Sequence, residues 1–498
     1  MRMTTTQQQQ SLRAQLWRRK PVTRATRESS EGLERSLGTF SLMMFGVGAT
    51  VGTGVFFVMH QAVPDAGPAV IVSFVLAGIA AGLSALSYAE MASAVPVSGS
   101  TYSYAYATLG EVVAVGVAAC LLLEYGVSTA AVSVGWSGYL NQLLDNLFGV
   151  TVPAALSSGP FDAVDPGLVN LPAVFLVAVC ALLLVRGASE SARVNTVMVV
   201  IKLAVLGLFV AIAFTAFDAD NFADFAPHGV TGITMAAGTI FFTFIGLDAV
   251  STAGDEVRDP QRSMPRAILG ALAIVTTIYL LVAVSALGAQ PWQDFGDAEQ
   301  AEAGLARLLQ DVVGASWPGT ILSAGAVISI FSVTLVTLYG QTRILFAIGR
   351  DGLLPRAFAK VSRRTRTPVN NTIIVACVVG LLAGFVPLDD LWDLVSIGTL
   401  VAFIVVSVGV IVLRRTRPDL PRGFRVPGYP VTPVVAIASC VYILAGLHWN
   451  TYAWFALWLS VALTFYLVWG RRHSLLNRAA HAGLPLDDDA TPAKEDQP

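Results

Sequence analysis

Gly46, Gly48, Gly52 and Gly54 fall within nine residues of an otherwise apolar stretch. Glycine inside a helix is about 1 kcal/mol less favourable than alanine, so four in so short a run call for a reason. The Gly48/Gly52 spacing suits a close helix-packing face. Gly54, directly beyond that pair, favours a second reading, in which the helix breaks at Gly52-Thr53-Gly54 and its freed amides and carbonyls face a cavity. Unpaired backbone at membrane depth is tolerated only where it lines such a cavity or is buried in protein. A second interruption stands at 238–248, where aromatic bulk gives way to Gly246 and the carboxylate of Asp248 follows two residues later. A carboxylate inside a membrane marks a functional site by default. Glu124, followed by Tyr125, is a further candidate of that kind. Lys202 sits eight positions into an apolar run from Asn195 to Phe217. Its ammonium either snorkels to the interface or faces the bundle interior, exchanging a proton and standing where a cation would otherwise bind. Ser329 and Ser332 lie one turn apart, and the expected role for both is back-bonding to their own helix, with support of the broken helix as the weaker alternative.

These residues need apolar helices to carry them. Of 498 residues, 55% are hydrophobic and 13% charged, about half the charged fraction of a soluble globular chain. Charge-poor runs begin near Leu37, recur along the chain, and end in a 45-residue uncharged run over 426–470 that is long enough for two spans. At about 20 apolar residues per crossing, these give twelve transmembrane helices. Positive charges sort by side. Eight precede residue 36, two lie between spans 4 and 5, three between 6 and 7, seven between 8 and 9, five between 10 and 11, and four in the C-terminal tail, so that 29 of 31 share one face. Arg307 lies in an opposite loop and Lys202 lies within span 5. The positive-inside rule then places both termini in the cytoplasm.

Other chemistries lack their residues. The five histidines are scattered without HxxxH or HExxH spacing, and Cys120, Cys180, Cys377 and Cys440 sit in apolar stretches without a CxxC pair. No metal, cofactor, catalytic or nucleic-acid-binding role is expected, and the cysteines read as small buried apolar residues. A dinucleotide fingerprint fails because Val51 stands where its third glycine would fall. Gly78 and Gly82 in span 2 read as a packing pair. The first 35 residues lack the apolar core of a signal peptide.

The motifs together resemble the amino acid–polyamine–organocation superfamily, and within it the bacterial permeases related to cationic amino acid transporters. The resemblance covers roughly residues 35 to 475. It is carried by the run Gly48 to Phe56, by Tyr88-Ala89-Glu90 with Pro96, Ser98-Gly99-Ser100 and Tyr102, and by Leu123-Glu124-Tyr125 with Gly135 to Tyr139. It continues through Phe244 to Asp248, Asp255-Glu256 and Pro260, and through Tyr339 to Arg343 with Arg350 to Pro355. Asp255-Glu256 departs from an expected pair of glutamates. The resemblance implies an all-α integral membrane fold of five plus five helices in inverted repeats, with helices 1 and 6 discontinuous and two further C-terminal helices. It implies that a substrate carboxylate meets amides around Gly52, Thr53 and Gly54, and that its ammonium meets carbonyls of Thr50, Phe242 and Ile245 beside Gly246. Helix N-termini favour anions and helix C-termini cations, so a zwitterion suits a site between two such ends. Phe242 resembles an aromatic gate, and Lys202 the fifth-helix lysine of proton-coupled members.

The expectation is therefore a proton-coupled L-amino acid importer of the cell membrane, working by alternating access, with the bilayer, protons and an amino acid as its partners. An exchanger of the same fold is the alternative, followed by a non-transporting amino acid sensor. The expected organisation is a disordered basic cytoplasmic tail (1–35), a ten-helix transport core (36–413), a cytoplasmic loop with helices 11 and 12 (414–472), and a disordered tail (473–498).

Overall fold

A computed structural model describes residues 15–22, 35–161, 166–296, 304–386, 388–445 and 449–481. These residues are helical throughout, without a β-strand; one isolated bridge joins Leu37 to Val257. In chain order the principal helices are α1 (Thr39–Thr50), α2 (Thr53–Ala66), α3 (Val70–Ala94), α4 (Ser100–Thr108), α5 (Glu111–Phe148), α6 (Leu171–Arg186), α7 (Ala188–Ala213), α8 (Gly229–Phe241), α9 (Ala249–Thr252) and α10 (Pro260–Ala289). They continue with α11 (Gly304–Val313), α12 (Trp317–Arg350), α13 (Val369–Phe385), α14 (Leu388–Thr416), α15 (Val431–Ala445), α16 (Trp449–Phe465) and α17 (Leu475–His481).

Among the described residues, seven helical stretches are long and apolar enough to cross a membrane, and five shorter apolar helices accompany them, α1 and α8 among these. Burial separates core from periphery. The apolar window of α12 is 72% buried and that of α5 67%, whereas the window in the last stretch, Thr451–Ala479, is only 11% buried. α12 and α14 pack against α5, and α10 packs against α3 and α1. The last stretch instead presents Trp454, Leu457, Val461, Phe465 and Val468 outward, as a helix facing lipid does.

Small residues permit the closest approaches. A methyl group on Gly78 would lie 3.2 Å from Thr276 and one on Gly82 3.3 Å from Leu272, so this pair packs α3 on α10, as its spacing suggests. Three cysteines are buried, but Cys377 is exposed on α13. That last position corrects the expectation for all four: in a bilayer an outward sulfur meets lipid, so burial in protein is not required of it.

Parts of both terminal segments lie against the helices. Arg18, Lys20 and Val22 are buried. Lys20 donates its backbone amide to Tyr106 and pairs with Asp351 at 2.5 Å, while Arg18 bonds Asn477. Residues 475–481 form α17, and the Leu475 amide caps the Asp351 carbonyl. Residues 15–22 and 473–481 are therefore packed against the helices through a charge-assisted lysine–carboxylate contact and backbone hydrogen bonds to Tyr106, Glu111 and Asp351. The remainder of both tails lies outside the described residues.

The end of the bundle that carries both terminal segments is held by further ion pairs. Glu256 takes Arg343 at 2.9 Å and the Tyr339 hydroxyl at 2.6 Å. Asp255 takes Arg350 at 2.9 Å and the Ser98 amide. Glu90 on α3 receives Arg414 from α14 at 2.5 Å, the Val426 amide at 2.7 Å, and lies 3.4 Å from Arg422. Removing one member of a buried, hydrogen-bonded pair strands the other. Glu90→Ala should therefore destabilise the protein by about 3 kcal/mol, read as a lowered melting temperature of the detergent-solubilised chain. Glu90→Gln, which keeps an acceptor and the shape, should lose less.

Candidate functional site

The first apolar span is interrupted. α1 stops at Thr50, Val51 and Gly52 are non-helical, and α2 begins at Thr53. The break lies slightly N-terminal to the expected Gly52-Thr53-Gly54, with Gly52 at φ −130° and ψ −137°. Thr50 closes its own turn by donating its hydroxyl to the Gly46 carbonyl. The carbonyls of the last turn, freed from the helical ladder, must find other donors.

Lys202 supplies them. It is fully buried on α7, and its ammonium donates to the Gly48 carbonyl at 3.0 Å and the Val51 carbonyl at 2.5 Å. Snorkelling is thereby excluded: the side chain points into the bundle, at the C-terminal end of a half-helix, where a cation is favoured. Ser329 on α12 donates to the same Val51 carbonyl at 3.1 Å. Ser332, one turn on, donates to Asn195 Oδ1 at 2.7 Å, and Asn195 donates to the Met44 carbonyl at 3.0 Å. The back-bonding expected of both serines is corrected, since each reaches across to another element. Open carbonyls and a buried amide attract those hydroxyls more than an intrahelical acceptor already in use.

The second interruption faces the first. α8 ends at Phe241, a short 3-10 turn covers Phe242–Phe244, and Ile245 to Asp248 form a turn before α9. Gly246 has φ +101°, a region that strains any residue with a Cβ. A methyl group there would also lie 2.8 Å from the Ala49 carbonyl oxygen. Gly54 approaches Thr243 in the same way, with a methyl group at 3.0 Å, and Gly52 approaches Val333 at 2.6 Å. Gly246 lets the second broken segment meet the first backbone to backbone, while Gly54 and Gly52 make room for the side chains of Thr243 and of Val333 on α12. The Tyr279 hydroxyl from α10 lies 3.0 Å from both the Thr50 carbonyl and the Thr243 carbonyl. Of the expected substrate-binding set, the structure brings Thr50, Gly52, Gly54 and Gly246 together, with Ile245 on the same turn. The side chains of Thr53 and Phe242 lie outside the described residues.

Two carboxylates sit beside this centre. Asp248 is 1% exposed, and its Oδ2 accepts the Tyr125 hydroxyl at 2.6 Å while Oδ1 has no hydrogen-bond partner. Glu124 is 2% exposed, and neither of its oxygens has a hydrogen-bond partner. The neighbouring polar side chain is that of Thr399 on α14. A methyl group on Gly398 of α14 would lie 3.7 Å from the Glu124 Cβ, which places the carboxylate in the seam between α5 and α14.

Tyr279 and Asn195 escaped the sequence reading. Asn195 stood at a span boundary and Tyr279 looked like one more aromatic in an apolar helix. A polar group in each of two otherwise apolar spans was the available signal.

Two interrupted apolar helices facing one another inside a multi-pass bundle, with a buried lysine on the carbonyls of one, make a membrane transporter site rather than an enzyme's active site. The amino acid permease family model matches residues 37–468. The chain is 42% identical over 456 residues to the branched-chain amino acid permease BcaP of Bacillus subtilis, covering 91% of this chain and 97% of that one. It is 40% identical to the methylthioribose transporter of the same organism, covering 93% and 99%. It is 35% identical to cationic amino acid transporter 1 of Arabidopsis thaliana, covering 78% of this chain and 64% of the plant protein. The chain belongs to the amino acid permease family, and it is a transporter, not an enzyme.

Gly246→Ala should abolish accumulation of folded protein, since the left-handed φ and the Ala49 contact act together; about 2–3 kcal/mol or more is at stake. Gly138→Ala, on α5 with open space around it, should be neutral. Fluorescence-detected size exclusion of the two variants checks this. Tyr279→Phe should cost about 1–3 kcal/mol through two carbonyls left without that donor, measured as a lowered melting temperature.

Proposed function

We propose that this chain is a proton-coupled importer of L-amino acids with twelve transmembrane helices, five plus five of them in inverted repeats, and both termini in the cytoplasm of the cell that carries it. The observation that carries the coupling is Lys202 on the carbonyls of Gly48 and Val51. A fixed ammonium fills a position where a separate cation could otherwise sit, so a proton on the lysine can do the work of a bound ion. Protonated, Lys202 holds the end of α1 through two charge-assisted hydrogen bonds. Deprotonated, it gives up part of that hold, and the break is then free to reorganise. Substrate and proton together bias two global states, as alternating access requires.

In this reading the substrate carboxylate lies against the amides around Gly52, Thr53 and Gly54, at the start of α2. The ammonium lies against the carbonyls of Thr50, Phe242 and Ile245. Phe242 closes over the bound molecule. Glu124 and Asp248 are secondary: a buried carboxyl beside the site is a candidate proton carrier, while Asp248 also orders the turn through Tyr125. The paired amide and carbonyl ends favour a zwitterion over a neutral sugar. The likeness to a methylthioribose transporter makes that compound the necessary comparison in a substrate screen.

Purified protein in proteoliposomes should accumulate amino acid several-fold more when the outside is acidic than without a gradient. Lys202→Ala should lose the response to the gradient. Uptake indifferent to the gradient, or an unchanged response in the variant, refutes the coupling. Uptake that depends on internal amino acid in counterflow identifies an exchanger instead. A thermal-shift screen of the twenty amino acids and methylthioribose identifies the substrate.

A further inference from the structure

At the end of the bundle where the terminal segments meet, a cavity of about 500 Å³ opens between the chain that follows α12 and the end of the last membrane stretch. Among the described residues its lining includes Arg350, Arg356, Arg478, His473, Trp469 and Leu475, and no carboxylate. Arg350 is committed to Asp255, but Arg356 and Arg478 are exposed at the mouth. The walls are constructed. Gly352 has φ +77°, and a methyl group on it would lie 2.6 Å from the His473 carbonyl oxygen, so only glycine lets the two segments close on each other. The Leu475 amide bonds the Asp351 carbonyl across the same junction. Trp469 stacks on His473 with ring centroids 4.3 Å apart and planes 14° apart.

Trp469 of the cavity also stacks on Phe465, ring centroids 5.6 Å apart, which leads to an apolar surface. Leu457, Val461, Phe465 and Val468 are all exposed on the membrane stretch, in the part that precedes Trp469. An apolar face running up to a tryptophan and then into arginines is the profile of acyl region, interface and headgroup, taken in that order. We propose that this cavity binds an anionic phospholipid. Its phosphate would be held by Arg356 and Arg478 and its acyl chain would lie along Phe465 and Val468. A phosphate group is the shared chemistry of lipid and soluble ligands, and the exposed apolar strip is what favours the lipid. This inference does not depend on the proposed substrate or coupling ion.

The test uses the full chain, stripped of lipid in neutral detergent and titrated with dioleoylphosphatidylglycerol, dioleoylphosphatidylcholine or inorganic phosphate. Retained lipid is read by native mass spectrometry and stability by melting temperature. The wild type should retain phosphatidylglycerol in preference to phosphatidylcholine, with a raised melting temperature. Arg356→Gln/Arg478→Gln should retain about thirtyfold less phosphatidylglycerol, given about 1 kcal/mol for each of the two basic residues near an anionic surface. Arg363→Ala/Arg364→Ala, which removes two exposed arginines outside the cavity, should behave as the wild type. If the double variant does not fold, the single variants Arg356→Gln and Arg478→Gln are read in its place, each expected to lose part of the retention. Equal retention of the two lipids, wild-type retention by the cavity variants, or an equal loss in the Arg363/Arg364 control overturns the proposal. Stabilisation by inorganic phosphate equal to that by phosphatidylglycerol also overturns it, in favour of a soluble phosphate ligand.

Discussion

Hydrocarbon offers no hydrogen bonds, so a chain that interrupts a membrane helix must satisfy the released backbone from within. The arrangement around Thr50 to Gly54 follows from that constraint. Lys202, Ser329 and Tyr279 come from three different helices and meet the carbonyls that α1 leaves open. Asn195 and Ser332 extend the same polar seam to the Met44 carbonyl. Glycines are the complement of these donors. At Gly46, Gly48, Gly52 and Gly246 a single added methyl group would meet a neighbour at 2.8 Å or less. The side chains that repair the break can reach it only because the break carries so little bulk of its own.

The charged residues obey a different rule. Around the break a single cation is set among carbonyl dipoles, whereas at the end carrying both terminal segments the cations are matched with carboxylates. Glu90, Asp255, Glu256 and Asp351 each take a basic partner from a distant part of the sequence. Such pairs are poor sources of net stability. Their value lies in specifying which helix ends meet, and two of them draw on the loop and helix that follow α3 and the turn that follows α9. They therefore tie these loops to the second broken helix.

Long uncharged runs made the helical membrane class legible, because the bilayer imposes length and apolarity on each crossing. The glycine cluster and the Gly246/Asp248 pair made the interruptions legible, though the first break falls at Val51-Gly52. What stayed hidden is partnership. Ser329 and Ser332 have acceptors within their own helix, and local bonding was the reasonable expectation; their actual acceptors belong to residues more than 130 positions away. Arg18 and Lys20 looked like solvated tail, since nothing in their neighbourhood indicates that Asp351 and Asn477 wait for them. Long-range pairing of this kind is set by topology, and a local pattern does not contain it.

Tyr279 deserves a count of protons. Its hydroxyl lies 3.0 Å from a carbonyl on each of the two broken helices, yet a phenol has one hydrogen to give. The two carbonyls therefore share it by turns or in a three-centre bond, and one of them is always the lesser-served. Drawing the helices apart forfeits no full hydrogen bond, only the weaker branch of a shared one, because the proton stays with whichever carbonyl remains. A tyrosine placed this way is a hinge pin rather than a bolt: it aligns the two halves while they are together and barely resists their separation.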